Sequence, residues 1–202
     1  MLVLASASPR RKALLEQAGL RILVDPADVD EGLEPAISPS QAARLLAERK
    51  ARAVHARGTH PGAWIVGSDT IVALGGETQG WSMLGKPADH AEARRMLESL
   101  SRTRHRVITG VAVLRALDGA LESAIETTFV TMREIRPQEI EDYVASEEWR
   151  DKAGGYAIQE NADAFVTLLE GGGFDNVVGL PVALTLRLLG RLGAPGLPSQ
   201  DS

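Results

Sequence analysis

The sequence predicts an α/β fold with a mixed, partly antiparallel central sheet flanked by helices. Two observations carry this. Short apolar runs alternate along the chain with segments of helical periodicity. Midway, two long apolar arms, Val107 to Leu114 and Ile125 to Met132, flank the turn pair Asp118-Gly119. A hairpin there makes part of the sheet antiparallel.

Each element has a local reason. Leu2 to Ala5 reads as a buried strand, and residues 9–18 as a helix that Ser8 caps, Pro9 opens and Gly19 ends. Leu20 to Val24 is a strand, and the polar, acidic stretch from Asp25 to Ile37 a loop. Ser38-Pro39-Ser40-Gln41 is a capping box opening a helix that runs to about Arg57 and closes at Gly58. Ala63 to Val66 is a buried strand; Gly67-Ser68-Asp69-Thr70 interrupts it, and Ile71 to Leu74 resumes it before a turn at Gly75-Gly76. Asp89 and Glu92 cap a helix whose Ala93, Met96, Leu97 and Leu100 form an i, i+3, i+4, i+7 stripe. Pro137 starts a helix reaching Val144, Ala164 to Leu169 is a strand, and Pro181 to Leu192 a last helix. Asn176 to Pro181 is read as a second strand–turn–Pro-helix passage. Residues 1–193 are expected to form a single domain, and 194–202, rich in Pro, Gly and Ser, a flexible tail.

Composition bounds the chemistry. The chain has 202 residues and no Cys, which excludes thiolate metal sites and thiol nucleophiles. The same absence fits a reducing cytoplasm, the expected location. Met1 leads directly into the first apolar run, so no secretory signal is expected, and no apolar stretch is long enough for a membrane span. A net charge of -5 argues against stable nucleic-acid binding and requires any polyanion to be held by a local cluster of cations. The four His show no metalloprotease spacing, and neither a nucleophile elbow nor a P-loop occurs.

Five places suit chemistry. Ser8, Arg10 and Arg11 surround a helix N-terminus, where cations oppose the helix dipole; bare N–H groups, a hydroxyl and guanidinium forks together suit phosphate. The alternative is a solvated first turn whose arginines find carboxylates. Asp69 breaks an apolar strand and needs a cation, a metal or a function. Asp28, Asp30 and Glu31 supply hard oxygens for a divalent cation, or are a solvated acidic loop. Lys86, between Gly85 and Pro87, and the Gly-rich stretch from Lys152 to Gln159 offer a point charge and an amide that reads a base edge. Lys50 lies among Arg49 and Arg52, as on a solvated basic helix face.

Taken in order, these segments resemble the Maf family of nucleoside triphosphate pyrophosphatases. Leu4-Ala5-Ser6-Ala7-Ser8-Pro9-Arg10-Arg11 is similar to its opening motif, Asp28-Val29-Asp30-Glu31 to its acidic loop and Gly67-Ser68-Asp69-Thr70 to its catalytic strand end. Gly85-Lys86-Pro87, Lys152-Ala153-Gly154-Gly155-Tyr156-Ala157-Ile158-Gln159 and Val178-Gly179-Leu180-Pro181 follow in the same order. The resemblance implies a Maf/ITPase-like fold with a nucleotide cleft. It also implies hydrolysis of a nucleoside triphosphate between the α- and β-phosphates, with Mg²⁺ or Mn²⁺ as cofactor. Asp69 would accept a proton, with Lys86 beside it in the catalytic set. Glu31 and Asp69 would hold the metal, and Ser8, Arg10, Arg11, Lys50, Thr70, Lys152 and Gln159 would bind substrate. Arg10, Thr70 and Gln159 are similar to the subgroup acting on dTTP and UTP. Their donors and acceptors match the two carbonyls and one N3–H of thymine and uracil. The chain departs from the family pattern at Glu160, at Gly171-Gly172-Gly173-Phe174, and in Ser101 to His105, which lacks the usual Gly after Leu-Ser.

Two rivals stand beside this reading. One is a house-cleaning pyrophosphatase for 7-methyl-GTP or ITP; the other is a non-catalytic nucleotide or nucleic-acid binder in division control. The expected partner is the nucleotide, with no membrane and with a homodimer left open.

Overall fold

The computed structural model describes residues 1–34, 36–76, 80–159 and 161–198. Two compact units emerge, each assembled from separate chain segments. The first comprises Met1–Asp69, Thr109–Glu126 and the chain from Gly179; the second comprises Thr70–Ile108 and Thr127–Val178. The tail expectation for 199–202 and the departure at Glu160 fall outside the described residues.

Strand and helix signals became elements where the sequence placed them. β1 (Leu2–Leu4) leads to α1 (Pro9–Gln17), β2 (Ile22–Val24) and α2 (Pro39–Ala56). The capping box at Ser38 and Gln41 forms as expected. β3 (Trp64–Gly76), β4 (Gly80–Leu84) and α3 (His90–Leu100) follow. β5 (Arg104–Arg115) and β6 (Leu121–Met132) are the hairpin arms, each longer than its apolar run. α4 (Pro137–Ala145), β7 (Val166–Gly171), α5 (Phe174–Val178) and α6 (Val182–Arg191) complete the chain. The sheet order is β2-β1-β3-β5-β6-β7, with β4 on β3. β1 runs parallel to β2 and β3, whereas β3–β4 and β6–β7 are antiparallel, so the sheet is mixed.

Three expectations are corrected. Gly67-Ser68-Asp69-Thr70 does not interrupt β3; the strand runs through it unbroken. Gly75-Gly76 is not a turn but the end of β3, where Gly75 pairs with Trp81 and Gly76 with Gly80 of β4. Asn176 to Val178 is the end of helix α5, not a strand. The reason is tertiary: Asn176 is fully buried, and its amide donates to Val107 O at 3.1 Å and Thr128 Oγ1 at 2.8 Å.

Each unit has its own apolar core. In the first unit, Leu4, Leu15 and Val66 pack with Val111, Leu180 and Leu188, while Val3, Ile65 and Ala112 pack with Ala47, Ala51 and Val54 of α2. In the second, the stripe Ala93, Leu97 and Leu100 packs with Val107, Val130, Ile140, Tyr143 and Trp149. Among the described residues, no helix is long and apolar enough to cross a membrane.

Candidate active site

Helix α2 approaches the sheet unusually closely. A Cβ on Gly67 would lie 2.2 Å from Ala47 O, and one on Gly110 2.2 Å from Ala43 O. Only glycines facing an alanine face (Ala43, Ala47, Ala51) permit this spacing. Lys50 shares that helix face, being three residues after Ala47 and four before Val54. Close packing therefore directs a cation onto the strand, and Lys50 Nζ lies 2.5 Å from Asp69 Oδ1 and 2.8 Å from Glu31 Oε1. The Lys50 and Asp69 side chains are each 12% exposed, against 55% for Glu31. One ammonium thus bridges a buried carboxylate and an exposed one. The solvated-face reading of Lys50 fails; its position on the apolar face of α2 was the signal that favoured burial.

The acidic loop divides by role. Asp30 Oδ1 accepts the Gly32 N–H at 2.8 Å, and Arg49 Nη1 donates to the carbonyls of Asp30 and Gly32 at 3.1 and 2.7 Å. Asp30 and Arg49 thereby shape the loop that presents Glu31. Asp28 is exposed. Among the described residues no group of three or more His, Cys, Asp or Glu is arranged to hold a metal ion. Glu31 and Asp69 remain as a pair already arranged around one cation. Two hard carboxylates fit the way Mg²⁺ binds, which takes one or two protein carboxylates and completes its shell with phosphate oxygens and water.

Helix α1 adds an anion-friendly terminus to the same unit. Ser8 caps it, its Oγ accepting the Arg11 N–H at 3.4 Å. Lys12 turns away to pair with Glu16. Arg10 is half-buried at the first turn. Arg11, a substrate-binding candidate, makes three contacts within the fold. Its Nε donates to Gly179 O at 2.8 Å, and its Nη1 to Ser68 O at 2.9 Å and Ser6 Oγ at 3.2 Å. Ser68 Oγ also donates to Gly179 O at 2.9 Å. Arg11 therefore joins three chain segments immediately before Asp69. Burial pulls its guanidinium below the ordinary value, with the Asp69 carboxylate opposing. The sequence offered no sign of Ser6, Ser68 or the Gly179 carbonyl as partners, because their pairing spans up to 168 positions.

In the second unit, Thr70 is half-buried on β3 and Lys86 is exposed. Gly154 N–H donates to Gly85 O at 2.9 Å, which joins the Lys86 turn to the Gly-rich loop. Lys152 is buried, its Nζ 3.5 Å from Arg150 O, while Gln159 is exposed at the loop's far end. The Lys86 and Lys152 segments are thus brought together.

A mixed α/β fold with a capped helix N-terminus and a carboxylate–lysine array in its first unit defines the class of protein, and the family follows from the comparisons. Residues 1–192 match the model of the Maf-like protein family, and the chain belongs to that family. It is 47% identical over 196 residues to a protein of Anaeromyxobacter dehalogenans (strain 2CP-C) named dTTP/UTP pyrophosphatase, covering 96% of this chain and 95% of that protein. It is 44% identical over 194 residues to a protein of the same name from Symbiobacterium thermophilum, covering 96% and 95%. A solved nucleoside-triphosphatase / dITP/XTP pyrophosphatase from Mycobacterium abscessus superposes with a TM-score of 0.39 at 17% identity, over 72% of this chain and 93% of that one.

Proposed function

We propose that this chain hydrolyses dTTP and UTP between the α- and β-phosphates, releasing pyrophosphate and the nucleoside monophosphate. The observation that carries the reading is the Glu31–Lys50–Asp69 array in the same unit as the Ser8-capped helix, in a chain whose near full-length relatives carry the name dTTP/UTP pyrophosphatase. Triphosphate oxygens suit the N–H groups and hydroxyl at the start of α1 and the Arg10 guanidinium. Lys86 and Lys152 supply further positive charge, and Thr70 and Gln159 supply the donors and acceptors that uracil and thymine require.

Asp69 is the proton acceptor in this reading. It takes a proton from the water whose oxygen attacks the α-phosphorus while pyrophosphate departs. Lys50 orients the carboxylate, and Arg11 fixes the backbone before it. Glu31 and Asp69 would hold a divalent cation, which when bound supplies positive charge to the phosphate oxygens.

The test is pyrophosphate release by the purified protein on dTTP, UTP, CTP, ITP and 7-methyl-GTP with Mg²⁺ or Mn²⁺. The expected result is highest kcat/KM for dTTP and UTP, loss of activity in EDTA and recovery on adding metal. Higher kcat/KM for 7-methyl-GTP or ITP overturns the substrate assignment, and full activity in exhaustively chelated buffer overturns the metal assignment.

A further inference from the structure

Within the second unit, a buried imidazole holds a loop that carries candidate substrate residues. His105, on β5, is 1% exposed. Its Nε2 lies 2.8 Å from Tyr156 Oη, and the two rings meet edge to face with centroids 5.6 Å apart. Its Nδ1 has no hydrogen-bond partner among the described residues. The two groups share one hydrogen bond, donated by the tyrosine hydroxyl or by Nε2–H according to the ring tautomer. Burial keeps the ring neutral, its pKa pushed down to about 4.

Tyr156 lies in the centre of the loop from Lys152 to Gln159. The next residue, Ala157, donates its N–H to Tyr143 Oη at 3.2 Å. Gly154 N–H is held by Gly85 O, and Gly154 and Gly155 both have left-handed backbone, at φ 72° and 71°. Left-handed backbone at two successive residues reverses the chain sharply and frees neighbouring peptides to face several directions. The loop is therefore pinned at Gly154, Tyr156 and Ala157. Gln159 follows two residues later, within about 7 Å of the last pin. A phenylalanine at 105 would fill the same space with no polar atom to bury, so packing alone does not account for histidine there.

We infer that His105 is a positioning residue. By holding the Tyr156 hydroxyl it sets the path of the loop that places Lys152 and Gln159, and through Gln159 it sets base discrimination. The inference rests on the reading above that this loop meets the nucleotide.

The test compares His105→Phe, Tyr156→Phe and His105→Gln, whose amide reaches the place of Nε2, with Val130→Ala, a cavity variant in the same core. Amide hydrogen exchange over residues 152–159 reads the loop. KM, kcat and the dTTP-to-CTP ratio of kcat/KM read its consequence. Expected for both Phe variants are at least tenfold faster exchange in that segment, at least a fivefold rise in KM for dTTP with a smaller change in kcat, and at least a fivefold narrowing of the ratio. His105→Gln should stay within twofold of wild type, and Val130→Ala should lower Tm without moving the ratio. If the Phe variants behave like Val130→Ala, His105 is structural only and the inference falls; Tyr156→Phe decides alone if His105→Phe does not fold. A wild-type protein inert towards dTTP and UTP overturns the proposed function instead, and the exchange measurement then still decides whether His105 holds the loop.

Discussion

Gly67→Ala tests the idea that helix α2 delivers Lys50 to Asp69 by close packing. The new Cβ would stand 2.2 Å from Ala47 O and 2.8 Å from Ala51 N, both backbone atoms that no rotamer change can move. Ordinary contact begins at 3.4 Å, so the helix must retreat by about 1.2 Å. Carried along with it, Lys50 Nζ would move from 2.5 Å to roughly 3.7 Å from Asp69 Oδ1, beyond hydrogen-bond reach. Overpacking of this kind costs about 1–3 kcal/mol of stability. Misplacing catalytic groups by about 1 Å can cost on the order of 10²-fold in rate. Urea unfolding measures the first effect, and steady-state hydrolysis of dTTP the second. Gly110→Ala should lower stability similarly, since its Cβ would meet Ala43 O at 2.2 Å, but it lies two helical turns from Lys50 and should affect kcat/KM less. Wild-type stability and kinetics in Gly67→Ala would refute the packing argument outright.

Three further outcomes follow from named contacts. Asp69→Asn should lower kcat by ~10²–10⁴ while the protein stays folded, checked by kinetics alongside circular dichroism; near-normal turnover would remove Asp69 from the chemistry. Arg11→Ala should destabilise by about 2–4 kcal/mol because it strips donors from Ser68 O, Gly179 O and Ser6 Oγ, and Arg11→Lys should not restore stability, since a single ammonium cannot reproduce the planar fork. Full rescue by Lys in thermal unfolding would show that charge alone mattered. Arg102→Gly should raise stability by about 0.5–1 kcal/mol, because Arg102 sits at φ 60° where glycine carries no Cβ penalty, offset in part by losing its ion pair with Glu134; a lower midpoint would mean that ion pair outweighs the strain.

The helix ends and periodic stripes were legible because their causes are local. Ser8, Ser38 and Asp89 each cap the helix that follows them, through a side chain and an N–H three residues on. Ala93, Met96, Leu97 and Leu100 are all buried, as a 3.6-residue period requires. Asp69 stood out as a carboxylate in an apolar run, and the motif order marked the family. β4 escaped notice because Gly80 to Leu84 alternates weakly and becomes a strand only by pairing with β3. α5 escaped because the burial of Asn176 against Val107 and Thr128, not the Val177-Val178 pair, decides its backbone.

By itself, then, the sequence determined what depends on a few neighbouring residues: where helices start and stop, which faces are apolar, and which side chains are candidates for phosphate, metal and base. Only the tertiary structure decided what each candidate contacts. Lys50 left a basic helix face to bridge Glu31 and Asp69, because Gly67 and Gly110 admit α2 to contact with the sheet. Arg11 turned from the helix terminus towards Ser68 and Gly179, and His105 acquired Tyr156. These pairings link positions 19 to 168 residues apart. Their strength comes from burial and from backbone approach distances, which no local pattern of residues encodes.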